Sequence, residues 1–248
     1  MIEKSNFFAR VCAVFEKNGL ERYISDEILE KFYLLTEIML ETNEKMNITA
    51  ITDIDAVIER HYADSLLMLT AGIDEGARVL DVGCGGGFPS FPIAIVRPDV
   101  TVTGLDSTAK KIAYVNETAR KLGLKNLTAI SARAEELAFE GDKREKFDVV
   151  TARAVASLPI LSELCLPFVR VGGKFVALKS KTAEEELQSA RRGIEKLGGR
   201  IEKVEKTALR SLIEGEEDAE RTIISVKKVA HTEGKYPRAY AQIKKKPL

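Results

Sequence analysis

A glycine-rich run between two apolar segments is the feature that most constrains the fold of this chain. Residues 81–89 read Asp-Val-Gly-Cys-Gly-Gly-Gly-Phe-Pro and directly follow an apolar segment that ends at Leu80. The pattern predicts a buried strand, a tight turn and a helix that begins at or just after Pro89. Glycine allows positive φ and a close approach of the backbone to a ligand, and the first N–H groups of a helix are free to bind one. The run therefore predicts a cradle for a cofactor.

The acid two residues before the first glycine indicates which cofactor the cradle holds. A pyrophosphate would gain nothing from a carboxylate at Asp81, whereas the amino-acid end of S-adenosylmethionine (SAM) offers it an ammonium and offers the turn amides a carboxylate. The spacing also departs from the dinucleotide pattern G-x-G-x-x-G, because Phe88 stands where a small residue is needed. The turn therefore favours SAM over NAD.

Composition limits the class of protein. With 248 residues and 45% hydrophobic content, the chain is long enough for one large domain or for a domain with an appendage. No apolar run reaches the length of a membrane span and the N-terminus lacks a signal-peptide pattern, so we expect a cytoplasmic protein with no membrane partner. The widely spaced Cys12, Cys84 and Cys165 are expected to be reduced, and His61 and His231 form no ligand-spaced cluster. We therefore expect no metal.

The net charge of zero hides an asymmetry. From Lys227 to the C-terminus there are seven basic residues and one acidic residue, which leaves 31 basic and 37 acidic residues in positions 1–226. A basic tail that also contains Tyr236 and Tyr240 would be able to bind phosphates and stack on bases. Taken alone, however, such a segment is more typical of a solvated, partly disordered terminus.

Hydrophobic periodicity divides the chain into a helical part and an alternating part. Apolar residues at helical spacing predict N-terminal helices over residues 6–18, 25–43 and 54–69, with Ser25 as an N-cap. After Gly72, helices alternate with predicted strands over residues 78–83, 101–106, 127–131, 147–151, 173–179, 200–208 and 221–229. Such alternation predicts an α/β fold with a mostly parallel sheet that is covered on both faces.

The last two predicted strands have no helix between them, so a hairpin would place one antiparallel strand in the sheet. This arrangement is typical of the Rossmann-like sheet of SAM-dependent methyltransferases, here preceded by an N-terminal helical subdomain. We predict three parts: a helical cap over residues 1–71, a SAM-binding domain over 72–230 and a basic tail over 231–248.

Polar residues and glycines follow four of the predicted strands. In an open α/β sheet the ligand lies beyond the carboxyl ends of the strands, where the strand order reverses. Asp106, at the second strand end, is placed to accept hydrogen bonds from both ribose hydroxyls, and the loop over 133–136 is placed to hold adenine. Arg153, at the fourth strand end, would point into the crevice. The candidate cofactor residues from this reasoning are Asp81, Gly83, Gly85, Gly87, Asp106, Ala134, Glu135 and Arg153.

Together these segments resemble the RsmG family, also called glucose-inhibited division protein B, whose members methylate N7 of a guanine in bacterial 16S ribosomal RNA. The resemblance runs from about residue 40 to the end, with its segments in family order. The matching segments are residues 43–51 (Asn-Glu-Lys-Met-Asn-Ile-Thr-Ala-Ile), 60–66 (Arg-His-Tyr-Ala-Asp-Ser-Leu), 81–89, 105–107 with Lys110 and Lys111, 133–136, 147–156 (Phe-Asp-Val-Val-Thr-Ala-Arg-Ala-Val-Ala), Lys179 and 236–238 (Tyr-Pro-Arg).

The resemblance implies roles for individual residues. It implies that SAM is contacted by Gly83, Phe88, Ala134, Glu135 and Arg153, with Asp81, Asp106 and Ser107 beside them. It implies that the RNA is faced by Asn47, His61, Asp64, Lys179 and Arg238. Two segments depart from the family pattern, because Thr42 stands where many members have tryptophan and residues 239–243 are not glycine-rich.

The implied acceptor atom also defines the kind of catalysis. Guanine N7 carries an exposed lone pair, so methyl transfer to it removes no proton and requires no general base. Orientation is then the main catalytic contribution, and we expect it from Arg153, His61 and Asn47. The implied partner is small-subunit ribosomal RNA or the 30S particle, and we expect the protein to act as a monomer.

Two other functions remain open from the sequence. One is an NAD-dependent oxidoreductase, which the glycine spacing disfavours. The other is a nucleic-acid-binding module that holds SAM without transferring its methyl group. Titration with SAM and with NAD separates the first from a methyltransferase, and an assay of methyl transfer separates the second.

Overall fold

Seven strands form one sheet in a computed structural model that describes residues 3–153 and 156–248. The strands are β1 (Arg78–Val82), β2 (Thr101–Asp106), β3 (Leu127–Ser131), β4 (Phe147–Arg153), β5 (Val169–Lys179), β6 (Gly199–Leu209) and β7 (Ala219–Lys228). Their order across the sheet is β3-β2-β1-β4-β5-β7-β6. Strands β1 to β5 pair in parallel, whereas β7 pairs antiparallel with both β5 and β6. The predicted α/β sheet with its antiparallel hairpin is confirmed.

The helices also follow the predicted periodicity. They are α1 (Lys4–Lys17), α2 (Asp26–Asn43), α3 (Ile54–Val57), α4 (Asp64–Leu67), α5 (Ser90–Val96), α6 (Ala109–Lys121), α7 (Ala134–Leu137), α8 (Leu158–Cys165), α9 (Ala183–Lys196) and α10 (Tyr240–Lys245). Ser25 caps α2 as predicted, since its side chain accepts a hydrogen bond from the Ile28 amide. A π-helical stretch, Ile58–Ala63, joins α3 to α4 within the third predicted helix. Of the predicted segment 147–156, Ala154 and Val155 lie outside the described residues.

Both faces of the sheet are buried at its centre, where successive strand residues are apolar. In β1, Val79 belongs to one hydrophobic cluster and Leu80 to the other. The alternation of side chains along a strand sends these neighbours to opposite faces. A strand that is buried on both faces has a continuous apolar sequence, like the segment that precedes the glycine turn.

The N-terminal helices share a core with one face of the sheet. Phe7, Phe15 and Phe32 have no exposed surface and belong to the same cluster as Phe91 of α5 and Val176 of β5. The N-terminal helices are therefore anchored against the sheet beside the glycine turn. The domain boundaries at residues 71 and 230 stay a prediction.

The C-terminal tail packs against the opposite face. Tyr236 is 3% exposed and Ile243 has no exposed surface, and both belong to the cluster formed with α8 and α9. Arg144 donates hydrogen bonds to the carbonyls of Tyr236 and Thr232, each at 2.9 Å. The expectation of a solvated, partly disordered terminus is therefore wrong for this segment. Charge pattern alone could not reveal the buried partners that hold it.

Three further observations concern the cysteines, membrane-spanning helices and metal sites. Cys12, Cys84 and Cys165 are free thiols. Across residues 3–153 and 156–248, no helix combines the length and the apolar character that a bilayer crossing requires. In the same part of the chain, no three His, Cys, Asp or Glu side chains are grouped to hold a metal ion.

Candidate cofactor site and its surroundings

The glycine turn lies at the point where the strand order reverses. Strand β1 pairs with β2 on one side and β4 on the other, so their carboxyl ends meet here. The amides of Gly83 and Cys84 both donate to the carbonyl of Leu105, at 2.7 and 3.0 Å, which ties the turn to the end of β2. The predicted strand, turn and helix are confirmed, with Pro89 as the residue before α5.

Two positions in the turn accept no side chain. Gly87 has φ 90°, and a Cβ there would lie 2.3 Å from ring carbons of Phe91. A Cβ at Gly86 would lie 2.7 Å from Cγ2 of Ile48, which belongs to the loop after α2. The turn is thus held between α5 and that loop, and it can keep this shape only with glycine at both positions.

Asp81 lies beneath the turn and fixes the start of α5. It has no exposed surface, and its Oδ2 accepts hydrogen bonds from Ser90 Oγ at 2.5 Å and Ser90 N at 3.2 Å. Burial raises the pKa of Asp81 to about 6, although the Ser90 hydrogen bonds and the charge of Arg153 oppose the rise. The contribution visible in this structure is to the shape of the turn. Contact between Asp81 and a cofactor ammonium stays a prediction.

The stability of Asp81→Asn relative to the wild type is expected to be greater at pH 7 than at pH 4.5. Because the folded-state pKa of Asp81, about 6, exceeds that of an unfolded aspartate, stability is lost as pH rises from about 4 through about 6. Asparagine does not titrate, so the free energy of unfolding of the variant relative to that of the wild type should rise by about 2 kcal/mol between pH 4.5 and 7. Urea unfolding of both proteins measures this, and a difference that is constant over that range would contradict the raised pKa.

A cavity of about 260 Å³ opens beside the turn. It is formed by the ends of β1, β2 and β3, the start of α7, and one residue each from α8 and α10. Its lining residues are Val82, Gly83, Leu105, Asp106, Ser107, Ala132, Arg133, Ala134, Glu135, Leu164 and Tyr240. The structure therefore brings together five predicted cofactor residues from three strand ends: Gly83, Asp106, Ser107, Ala134 and Glu135.

The polar groups of this cavity suit a nucleoside. Asp106 accepts hydrogen bonds from the amides of Gly85 at 3.1 Å and Thr108 at 2.8 Å, and its partly exposed carboxylate retains lone pairs for hydroxyl donors. Ala134 and Glu135 open α7, so their N–H groups have no acceptor within that helix. These groups fit a ribose and a purine respectively, and the residues present therefore fit the nucleoside part of SAM.

The ring of Phe88 packs against a buried histidine. The ring of His61 stacks on that of Phe88 with centroids 4.2 Å apart and planes at 6°. His61 Nε2 lies 2.8 Å from Thr49 Oγ1, and His61 Nδ1 has no hydrogen-bond partner among the described residues. Burial, with the nearby charge of Arg153, lowers the pKa of His61 to about 3. The imidazole is therefore neutral at physiological pH, so it orients Phe88 without adding charge.

The loop after α2 lies on the glycine turn. Asn43 Oδ1 accepts hydrogen bonds from the amides of Ile48 at 2.8 Å and Thr49 at 3.0 Å, which folds residues 43–49 into a tight loop. Ile48 is buried against Gly86, whereas Asn47 is exposed. Asn47 thus presents its amide to solvent next to the turn.

A cluster of charged residues, Asp64, Arg153 and Arg221, is centred on the buried carboxylate of Asp64. Asp64 is 5% exposed and accepts hydrogen bonds from Arg153 Nη1 at 3.0 Å and Arg221 Nε at 2.6 Å. Arg153 Nη1 also donates to the carbonyl of Arg60 at 2.6 Å. Two guanidinium groups therefore share one buried carboxylate. Arg221 did not emerge from the sequence, because 157 residues separate it from Asp64.

The other two predicted RNA-facing residues, Lys179 and Arg238, have partners within the protein. Lys179 Nζ donates to the carbonyl of Ala156 and pairs with Glu186, both at 2.8 Å. Arg238 pairs with Glu163 through both carboxylate oxygens. Leu178, the residue before Lys179, pairs with Arg153 in the sheet, so Lys179 lies near the Asp64 cluster, whereas Arg238 lies in the C-terminal tail. Contact of either residue with RNA stays a prediction.

Comparison with known proteins finds a matching family, close relatives in sequence and a solved structure with a similar fold. The family described as rRNA small subunit methyltransferase G matches residues 28–213. A relative in Acetivibrio thermocellus, named ribosomal RNA small subunit methyltransferase G, is 41% identical over 93% of each chain. A relative of the same name in Lactobacillus delbrueckii is 45% identical over 85% of this chain and 87% of its own length. Among solved structures, a branched-chain polyamine synthase variant from Thermus thermophilus has a similar fold, with a TM-score of 0.56. The match covers 80% of this chain and 64% of that chain, at 16% sequence identity.

Proposed function

The chain belongs to the rRNA small subunit methyltransferase G family, and from that premise we propose that it transfers the methyl group of SAM to N7 of a guanine in small-subunit ribosomal RNA. The observation that carries the proposal is the cavity in which the glycine turn meets Asp106 and the start of α7. This cavity lies at the strand-order reversal, where an α/β sheet binds its ligand. The names of the relatives supply the class of RNA.

The proposed cofactor site has two halves. Gly83, Asp106, Ser107, Ala134 and Glu135 hold the nucleoside. Gly85, Gly87, Phe88 and Arg153 hold the amino-acid part, and Asp81 supports the turn from beneath. The guanidinium of Arg153, which Asp64 holds in place, complements the carboxylate of that part.

The proposed chemistry requires orientation and no general base. When bound, SAM would supply a methyl group on a positively charged sulfur. As guanine N7 donates its lone pair to the methyl carbon, the carbon–sulfur bond breaks with its electron pair left on sulfur, and the positive charge moves to the purine without loss of a proton. Phe88, backed by His61, limits the movement of groups beside the turn. A histidine with a pKa of about 3 is a poor base near neutral pH, which agrees with a reaction that needs none.

The RNA approaches from the side of the loop after α2. Among the predicted RNA-facing residues Asn47 is the exposed one beside the turn, and its amide is able both to donate to and to accept from a base edge. His61 and Asp64 support this surface from within the protein. We place the enzyme in the cytoplasm with the ribosomal subunits, acting as a monomer without a metal ion.

The proposal is tested in cells that lack the protein. Small-subunit RNA from wild-type and deletion strains is digested, and 7-methylguanosine is mapped by mass spectrometry. We expect one guanine to lose its N7 methyl group in the deletion strain and to regain it when the gene is restored. Unchanged N7 methylation of small-subunit RNA in the deletion strain would contradict the proposal. Tight binding of NAD and none of SAM by the purified protein would instead support the oxidoreductase alternative.

A further inference from the structure

One wall of the cofactor cavity comes from the C-terminal tail. Tyr240, the first residue of α10, lines the same cavity as Asp106 and Glu135, although more than 100 residues separate it from either. Leu164 of α8 lies in the same wall. Tyr240 is half-buried and packs against the hydrophobic cluster of that face. Its position depends on how the tail is attached to α8.

The attachment is a buried ion pair. Glu163 of α8 has no exposed surface, and its Oε1 accepts hydrogen bonds from Arg238 N at 2.9 Å and Arg238 Nε at 2.8 Å. Its Oε2 accepts from Arg238 Nη2 at 2.7 Å. Arg238 Nη2 also donates to the carbonyl of Lys246, just beyond α10, at 3.1 Å. Arg238 therefore ties both ends of α10 to the helix that carries Leu164.

The ion pair with Glu163 limits the ability of Arg238 to bind an RNA phosphate. Its guanidinium faces a fully buried carboxylate in a two-point geometry, which is among the strongest arrangements for such a pair. An exposed phosphate would have to compete with Glu163, which would then be left buried and unpaired. The geometry favours a role in holding the tail over a role in binding RNA.

We propose that Tyr240 contacts the nucleoside part of bound SAM and that the ion pair of Arg238 with Glu163 positions it there. The inference rests on the proposed function, since it assumes SAM as the ligand of the cavity. An aromatic ring in the wall of a purine site offers an apolar surface to the base and excludes water from it. Tyr240 is then a cofactor-binding residue, and Arg238 is a positioning residue.

The role of Tyr240 is tested with S-adenosylhomocysteine as the probe, by isothermal titration calorimetry. We expect Tyr240→Ala to raise the Kd about tenfold and Tyr240→Phe to leave it unchanged. Gln242→Ala, on the exposed side of the same helix, serves as the matched control and should bind as the wild type does. A folded Tyr240→Ala protein with the wild-type Kd would overturn the inference. Failure of the wild-type protein to bind the probe would count against the proposed function itself.

The role of Arg238 is tested by separating cofactor binding from RNA binding. We expect Arg238→Ala to raise the Kd for S-adenosylhomocysteine about tenfold, and to leave the salt dependence of RNA binding without cofactor unchanged. A residue that binds phosphate would instead reduce that salt slope by about one, and this result with an unchanged Kd would overturn the positioning role. Hydrogen exchange of the wild-type protein needs no variant: S-adenosylhomocysteine should slow exchange in α10, and unaltered exchange there would contradict the inference.

Discussion

Replacing Gly87 with alanine is expected to weaken SAM binding on the order of 100-fold. The residue has φ 90°, and the new Cβ would lie 2.3 Å from ring carbons of Phe91. Strained backbone and overpacking each cost about 1–3 kcal/mol. Because Phe91 is fully buried in the core, the turn and not the ring should move. Calorimetric titration with SAM measures the loss.

Gly123→Ala is the matched control for this experiment. Gly123 also has positive φ, 67°, but a Cβ there meets nothing within 4 Å. The control variant should lose about 1 kcal/mol of stability from backbone strain and keep the wild-type affinity for SAM. Equal losses of SAM binding in the two variants would contradict a specific role for the turn.

Replacing Arg153 with alanine is expected to reduce kcat/KM for methyl transfer on the order of 100-fold. The change removes the hydrogen bonds to Asp64 and to the carbonyl of Arg60, at 3.0 and 2.6 Å. It also leaves the buried carboxylate of Asp64 with Arg221 as its one remaining arginine partner among the described residues. Both losses disturb the orientation of the cofactor, so the affinity for SAM should fall as well.

Two further variants show whether charge or geometry matters at this position. Arg153→Lys keeps the charge without the planar fork, so we expect an intermediate kcat/KM. Arg170→Ala removes a more exposed arginine that bonds Asp148 at 2.5 Å, and its kcat/KM should equal the wild-type value. A folded Arg153→Ala protein with wild-type kcat/KM and SAM affinity would refute the proposed role.

The fold was predictable because its signals are local. The apolar run before the turn, the glycines and the helical spacing of residues 25–43 are each read within a short window. The absence of a helix between β6 and β7 predicted the antiparallel hairpin from connection length alone. The strand-order rule then predicted that Asp106 and Glu135 would meet at one cavity, and they do.

The rest of the site depends on contacts between distant parts of the chain. No local pattern indicates that Tyr240 reaches the cavity or that Arg238 pairs with Glu163, 75 residues earlier. A run of basic residues has the same appearance whether it is solvated or paired with buried acids. The neutral state of His61 was not predictable either, because it follows from burial against Phe88, which only the packed structure shows.

The central claim is that guanine N7 receives the methyl group, and one measurement tests it directly. Purified protein is incubated with methyl-labelled SAM and small-subunit RNA from the deletion strain, or with the same RNA carrying 7-deazaguanine at the target position. We predict labelling of the first RNA at a single guanine and none of the second. Equal labelling of the 7-deazaguanine RNA would contradict the claim, because that base has no N7 to accept the methyl group.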